Sequence, residues 1–342
     1  MKILIIKPSS LGDVIHALPF LNAVKDSFPD SEVDWVISRS LKGILESNIL
    51  INELIVVNKD SWKRIRNLPK TVSELSSLNR TLKSKKYDIV VDLQGLLRSG
   101  LIALSTPSTL KVGFADAREG SSLLYDKRVS VNGIAHAVDK CLEVAKAIGA
   151  RTDNPRFPVY ISGKAKTKVS ELLGHIKEYI VIFPSSRWVT KRWPAENFAD
   201  LISKTPLPCV ISGSRDDRQI ARTILDSLNS RYAGPSQSSK TLDICGKTDL
   251  SELVALIAAA KTVVTNDSGP MHIAAALNKP TVALFGPTDP AKTGPYGWQK
   301  NKNLKVIKVD VPCSPCRKKK KCSEFICMDQ ISVSKVLELL KE

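Results

Sequence analysis

The sequence predicts an α/β protein: two doubly wound parallel sheets in tandem, facing each other across a cleft. Three observations predict it. Short runs rich in Val and Ile alternate with amphipathic stretches of helical period along the whole chain. The alternation lapses once, from Thr152 to Ser162, where Pro155 and Pro158 stand and no period survives. It then restarts with strands and helices in the same alternation, and 342 residues is the length of about two domains.

In the first half the strands fall at Ile3–Ile6, Val33–Ile37, Leu54–Val57, Ile89–Asp92 and Leu110–Gly113. Each is a short apolar run with little alternation, the mark of a strand buried on both faces. Between them, apolar residues at helical spacing place helices at about Asp13–Ser27, Thr71–Lys83, Leu96–Ser105 and His136–Ile148. In the second half the strands are Tyr179–Phe183, Cys209–Ser212, Leu242–Cys245, Thr262–Thr265 and Thr281–Phe285. The helices are Ala195–Lys204, Asp216–Leu228, Leu250–Ala260 and Met271–Leu277, with a last amphipathic one at Val333–Leu340.

Composition narrows the function. The chain is 43% apolar and 25% charged, which excludes a disordered or collagen-like chain and a small disulfide scaffold. Fifty-one Lys and Arg against 34 Asp and Glu leave a net charge of +17, so an anionic partner is expected: nucleic acid, an acidic membrane surface or a phosphorylated ligand. No helix-turn-helix, RNA-binding aromatic motif or zinc-finger spacing points to nucleic acid. No apolar run reaches the roughly 18 residues of a membrane helix. The first apolar stretch is too short for a secretory signal, so the expected compartment is the cytosol, where thiols stay reduced.

Ligands of doubly wound sheets bind beyond the carboxyl ends of the strands, so chemistry is sought in those loops. The first is Lys7-Pro8-Ser9-Ser10-Leu11-Gly12-Asp13. Asp13 falls in the first turn of a helix. Acids are favoured there for the helix dipole alone, and the same carboxylate is placed to take a proton. No GxGxxG follows the strand, which argues against a dinucleotide site.

Four loops stand out in the second half. Phe183 leads into Pro184-Ser185-Ser186-Arg187, then Lys191-Arg192-Trp193-Pro194; the serines are short hydroxyl donors and Lys191 is a point charge suited to a phosphate oxygen. Thr265 leads into Asn266-Asp267-Ser268-Gly269 with Pro270 opening a helix, a ready anion site; His272 lies in its first turn. The neighbouring strand ends in Gly286-Pro287-Thr288-Asp289-Pro290. Ser212-Gly213-Ser214-Arg215-Asp216-Asp217 is placed to close around a nucleoside.

Two clusters remain. Lys59, Lys63, Arg64, Arg66 and Lys70, with Trp62 among them, form either a solvated basic face or a site for a phosphorylated acceptor; Arg98 and Arg118 are further cations near loop ends. Cys313, Cys316, Cys322 and Cys327 put four sulfurs in fifteen residues. They suit free thiols, a redox-sensitive disulfide or, less well at this spacing, a zinc site. Cys141, Cys209 and Cys245 sit in apolar surroundings as core residues.

Five motifs then occur in order: SLGDVIHALP from Ser10, DLQGLLRSG from Asp92, HAVDK from His136, NDSGPMHIAAAL from Asn266 and FGPTDP from Phe285. In these the chain resembles the lipopolysaccharide heptosyltransferases of glycosyltransferase family 9. The first two motifs and Ala117-Arg118-Glu119 look more like type I; the cysteine tail looks more like type II. The resemblance implies a GT-B fold of two Rossmann-like domains: acceptor on residues 1–155, nucleotide-sugar on 156–330, and a C-terminal helix over 331–342 packing back toward the first domain. It implies an inverting transfer of heptose from ADP-heptose to a Kdo sugar of the lipid A inner core, with no cofactor and no metal. Asp13 matches the general base and Lys191 the lysine that neutralises the donor diphosphate. Ser185, Ser186, Asp267, Ser268, Gly269 and His272 match the donor site, and Asp216 or Asp217 an acid that holds the ribose. Lys63, Arg64 and Arg118 match acceptor-binding cations. It further implies a cytoplasmic enzyme held peripherally at the anionic inner face of the inner membrane, with no nucleic-acid partner.

Overall fold

The computed structural model describes residues 1–58, 68–232, 240–316 and 322–341. The chain divides into two compact units, Met1–Tyr160 and Ile161–Glu342. The division falls in the proline-bearing stretch that the sequence marks, after Tyr160 rather than after residue 155.

The first unit holds strands β1 (Lys2–Ile6), β2 (Glu32–Ser38), β3 (Glu53–Val57), β4 (Tyr87–Asp92), β5 (Ser108–Phe114) and β6 (Lys127–Val129). Its helices are α1 (Leu11–His16), α2 (Leu18–Ser27), α3 (Leu68–Ser84), α4 (Leu97–Ser105) and α5 (Ala137–Ala147). The strands pair in parallel in the order β3-β2-β1-β4-β5-β6. Ile3, Leu4, Ile5 and Ile6 of β1 are all fully buried, which explains the uninterrupted apolar run of a central strand.

The second unit repeats the plan with β7 (Ile180–Phe183), β8 (Cys209–Ile211), β9 (Thr241–Asp243), β10 (Thr262–Asn266), β11 (Thr281–Phe285) and β12 (Leu304–Lys308). Its helices are α6 (Gly163–Leu173), α7 (Ala195–Lys204), α8 (Arg218–Arg231), α9 (Leu250–Ala259), α10 (Gly269–Ala276), α11 (Pro290–Thr293), α12 (Ile326–Asp329) and α13 (Val333–Lys341). Its strand order is β12-β11-β10-β7-β8-β9, again all parallel. Counted within its own unit, each sheet runs 3-2-1-4-5-6, the Rossmann order. The expected doubly wound α/β class is thus observed in both halves.

The structure departs from the sequence reading in the first helix and at the sheet edges. The helix expected over Asp13–Ser27 is two helices broken at Ala17, because Pro19 has no N–H to give Ile15 and its ring crowds that carbonyl. Edge strands β6 and β12 escape the reading because Lys and Arg interrupt their apolar residues. Within the second unit the C-terminal helix α13 lies on α7 and β11, with Val336 fully buried, and Trp193 Nε1 donates to Ile331 O just before it at 3.0 Å.

Candidate active site

In each sheet the strand order turns at the pair formed by its first and fourth strands, β1 with β4 and β7 with β10. Loops beyond the carboxyl ends of such a pair are where ligands bind. Asp13 follows β1, Ser185, Ser186 and Lys191 follow β7, and Asp267, Ser268, Gly269 and His272 follow β10, whereas Arg118 follows β5 and Asp216 and Asp217 follow β8.

In the first unit, Asp13 is the third residue of α1. Its Oδ2 accepts from the Ser10 N–H at 2.9 Å and the Ser10 Oγ at 2.7 Å. The carboxylate is therefore both the helix cap and a group fixed in direction. It lines a cavity of about 290 Å³ together with Lys7, His16, Gln94, Arg118 and Lys140. Lys7, at 8% exposure, donates to Leu93 O at 2.6 Å. The His16 and His136 rings meet edge to face at 5.0 Å, and His136 Nδ1 caps α5 by accepting the Val138 N–H at 3.2 Å.

Asp92, fully buried at the end of β4, precedes Leu93 and Gln94 of the cavity lining. Its Oδ1 accepts the N–H groups of Gln94 and Gly95, and its Oδ2 accepts the Tyr125 hydroxyl at 2.7 Å. Burial pushes the Asp92 carboxyl up, against the pull of hydrogen bonds from Tyr125, Ser99, Gly95 and Gln94. Gly113 lets the Tyr125 ring lie against β5: a Cβ there would stand 2.4 Å from the ring. Arg118, assigned to the acceptor by resemblance, shares the cavity with Asp13. Lys63 and Arg64 lie outside the described residues, as do Lys59, Trp62 and Arg66.

In the second unit, Lys191 Nζ pairs with Asp267 Oδ2 at 2.5 Å and stacks 4.4 Å from the Trp188 ring centroid. The pair is mostly buried, with side chains 12% and 5% exposed. Thr288 donates its hydroxyl to the same Asp267 oxygen at 2.6 Å, and Ser186 Oγ donates to Asp267 O at 3.0 Å. Asn266 ties the loops together: its Nδ2 donates to Pro184 O, and its Oδ1 accepts the Trp193 N–H. Ser268 is the N-cap of α10, which opens at Gly269 with Pro270 next, and His272 is buried in the first turn. Lysine, serines and helix N-terminus thus meet around one loop, an arrangement suited to a diphosphate.

The structure separates Asp216 from Asp217. Asp216 is exposed. Asp217 accepts from the Ser214 N–H and Oγ, both at 2.7 Å. Burial alone would raise its carboxyl, but Ser185, Ser214 and the Arg192 charge outweigh that and hold it below the usual range. Thr288, Trp188 and Asn266 were given no role by sequence reasoning, although Thr288 lies in a turn that it had marked.

The four C-terminal cysteines are free thiols, Cys313 exposed and Cys327 buried. Burial, then the neighbouring sulfurs of Cys313, Cys316 and Cys322, push the Cys327 thiol up to about 11. Among the described residues no group of three or more His, Cys, Asp or Glu is placed to hold a metal ion. Burial also pushes the core thiols Cys141 and Cys209 up to about 11. Among the described residues no helix is long and apolar enough to cross a membrane.

Residues 75–326 match the profile of glycosyltransferase family 9 (heptosyltransferase). The chain belongs to this family. It is 30% identical to lipopolysaccharide heptosyltransferase 1 of Pseudomonas aeruginosa over 337 residues, which cover 93% of this chain and 87% of that one. It is also 30% identical to lipopolysaccharide heptosyltransferase 2 of Salmonella typhimurium over 310 residues, covering 86% and 85%. Among solved structures, Escherichia coli heptosyltransferase WaaC with ADP is similar at a TM-score of 0.79 and 25% identity, covering 100% of this chain and 99% of that one. Family 9 membership makes the protein a glycosyltransferase, and the WaaC likeness identifies its α/β architecture as GT-B.

Proposed function

We propose that this family 9 enzyme moves L-glycero-D-manno-heptose from ADP-heptose to a Kdo sugar of the lipid A inner core, with inversion and without a metal ion. The observation that carries the reading is Lys191: a mostly buried ammonium on the loop after β7, beside the loop that opens α10. Such a site matches the diphosphate of a nucleotide-sugar. Asp13 removes the proton of the acceptor hydroxyl as its oxygen attacks the anomeric carbon. Ser10 aims that carboxylate through two short hydrogen bonds. One carboxylate suffices, since inversion forms no covalent intermediate. As the bond to ADP breaks, charge grows on the diphosphate; Lys191 and the N-terminus of α10 stabilise it. Ser185, Ser186, Ser268, Gly269 and His272 line the donor site, with Asp216 or Asp217 at the ribose. Arg118, with Lys63 and Arg64, holds the acceptor's carboxylates and phosphates. The +17 charge supports peripheral attachment to an anionic membrane surface at the cytoplasmic face.

A second reading, a type II-like transfer to a different inner-core sugar, is favoured by the cysteine tail and by relatives of both types at 30% identity. A panel of ADP-, UDP- and GDP-sugars in thermal unfolding, followed by transfer to isolated Kdo-lipid A with EDTA present, tests both. Selective stabilisation by ADP-heptose and EDTA-resistant transfer to Kdo are expected. Transfer only to an already heptosylated core selects the second reading, and activity lost in EDTA and restored by Mg²⁺ contradicts the metal-free mechanism.

A further inference from the structure

Thr288 stands in the turn after β11, and the mechanism above gives it no part. The residue is 4% exposed, and its hydroxyl donates to Asp267 Oδ2 at 2.6 Å. That same oxygen receives the Lys191 ammonium at 2.5 Å. Asp267 is fixed on its main chain as well: its N–H donates to Leu284 O at 3.1 Å, and its carbonyl accepts Ser186 Oγ at 3.0 Å. The carboxylate therefore meets both donors from a fixed position.

We propose that Thr288 is a positioning residue for the donor: by hydrogen-bonding Asp267 it sets how firmly that carboxylate retains Lys191, and so how far the ammonium is available to a diphosphate. The inference rests on the donor role given to Lys191. A buried carboxylate oxygen that loses a donor bears a desolvation cost. When phosphate oxygens draw on the ammonium, Asp267 gives up part of its hydrogen bonding to Lys191. With Thr288 in place the oxygen keeps a second donor, and the lysine is shared at small cost. Without that hydroxyl the carboxylate leans more heavily on Lys191 and competes harder with the ligand. The turn itself does not hang on the Thr288 side chain. Ser314 Oγ donates to Gly286 O at 2.6 Å, and a Cβ on Gly286 would stand 2.5 Å from Met328 Sδ, so the C-terminal segment clamps the turn where it begins.

The test uses the full-length protein and calorimetric titration of ADP and of adenosine. Thr288→Val keeps the shape and removes the hydroxyl; Thr288→Ser keeps the hydroxyl. Thr288→Val is expected to weaken ADP binding about tenfold, the scale of one hydrogen bond to a charged group, and to leave adenosine unchanged. Thr288→Ser restores ADP affinity. On a Lys191→Ala background, Thr288→Val adds no further loss. If Thr288→Val fails to fold, Thr288→Ala serves in the same comparisons. Equal losses for ADP and adenosine, or a full tenfold loss on the Lys191→Ala background, overturn the proposal. Lys191→Ala that weakens ADP while Thr288→Val leaves it at the wild-type value overturns this inference alone. Lys191→Ala that leaves ADP affinity untouched overturns the donor-site reading, and this inference with it.

Discussion

The two units share one strand order and place polar loops beyond the same pair of strands, yet they hold their key carboxylates differently. Asp13 Oδ2 takes its donors from Ser10, three residues back in its own loop. Asp267 Oδ2 takes its donors from Lys191, 76 residues earlier, and from Thr288, 21 residues later. The first carboxylate is set by local helix-capping geometry, which leaves it standing at the wall of a cavity. The second joins three loops and is largely neutralised by an ammonium. A proton acceptor needs the first setting, and a scaffold that presents a cation needs the second. One topology thus holds two carboxylates in two settings because the loops, and not the sheet, decide how each is satisfied.

The sharpest way to break this contrast is to neutralise each carboxylate's chemistry. Asp13→Asn keeps an oxygen for the Ser10 cap and abolishes the base. Turnover in a heptose-transfer assay is expected to fall by about 10²–10⁴-fold, with ADP affinity unchanged. Turnover near wild type would remove Asp13 from the mechanism. In the second unit, the proposed phosphate role of Lys191 predicts that Lys191→Ala weakens ADP by about 10–100-fold while sparing adenosine. The same change leaves Asp267 buried without its ammonium, so a lowered Tm is expected alongside, as for any broken buried pair. Asp13→Asn carries no such penalty. Equal destabilisation by the two variants would erase the distinction between local and long-range setting.

That distinction also explains what was legible in the sequence. Central strands β1, β4, β7, β10 and β11 could be read because burial on both faces writes an unbroken apolar run. The Ser10–Asp13 pairing was open to reading, because a cap has a fixed short spacing, but it went undrawn. The Ser214-to-Asp217 spacing carries the same signature and was enough to separate Asp217 from Asp216 as the loop's internal ligand; it went unused. The Lys191–Asp267–Thr288 cluster could not be paired from sequence, since parallel strand order, not spacing, brings those loops together. The break at Ala17 was open to reading and was missed: Pro19 is the seventh residue of the expected Asp13–Ser27 helix, past its first turn, where a missing N–H interrupts the ladder.

A smaller effect is expected from the basic segment of the first unit. Lys63→Ala with Arg64→Ala should raise the acceptor KM from several-fold to some tens-fold and leave donor affinity alone, each exposed contact being worth roughly 0.2–1 kcal/mol. The rise should shrink at high salt, which screens the wild-type attraction. A raised donor KM with an unchanged acceptor KM at low salt would assign these cations to the wrong substrate.

The smallest expected effect is a difference in how two acids, one in each unit, respond to pH. Burial pushes Asp92 up in the folded protein, whereas Asp217 is held down because its hydroxyl and backbone donors and Arg192 outweigh burial. Linkage gives these opposite signs. A raised folded pKa contributes stability that is fully present below the unfolded value of about 4 and is lost as pH rises through the folded value. A lowered folded pKa contributes stability that is present above about 4 and is lost as pH falls through the folded value. The windows therefore lie on either side of the ordinary carboxylate range. Asp92→Asn does not titrate, so its Tm relative to wild type should climb as pH rises from about 4 toward neutrality. Asp217→Asn should lie below wild type near neutrality, by under about 2 °C for a half-buried group, and the gap should close in acid. Calorimetric Tm values across this range for the three proteins check both signs. A flat difference for Asp92→Asn would mean that its hydrogen bonds fully offset burial. A gap that widens in acid for Asp217→Asn would mean that burial, and not the Ser185 and Ser214 donors, governs that loop.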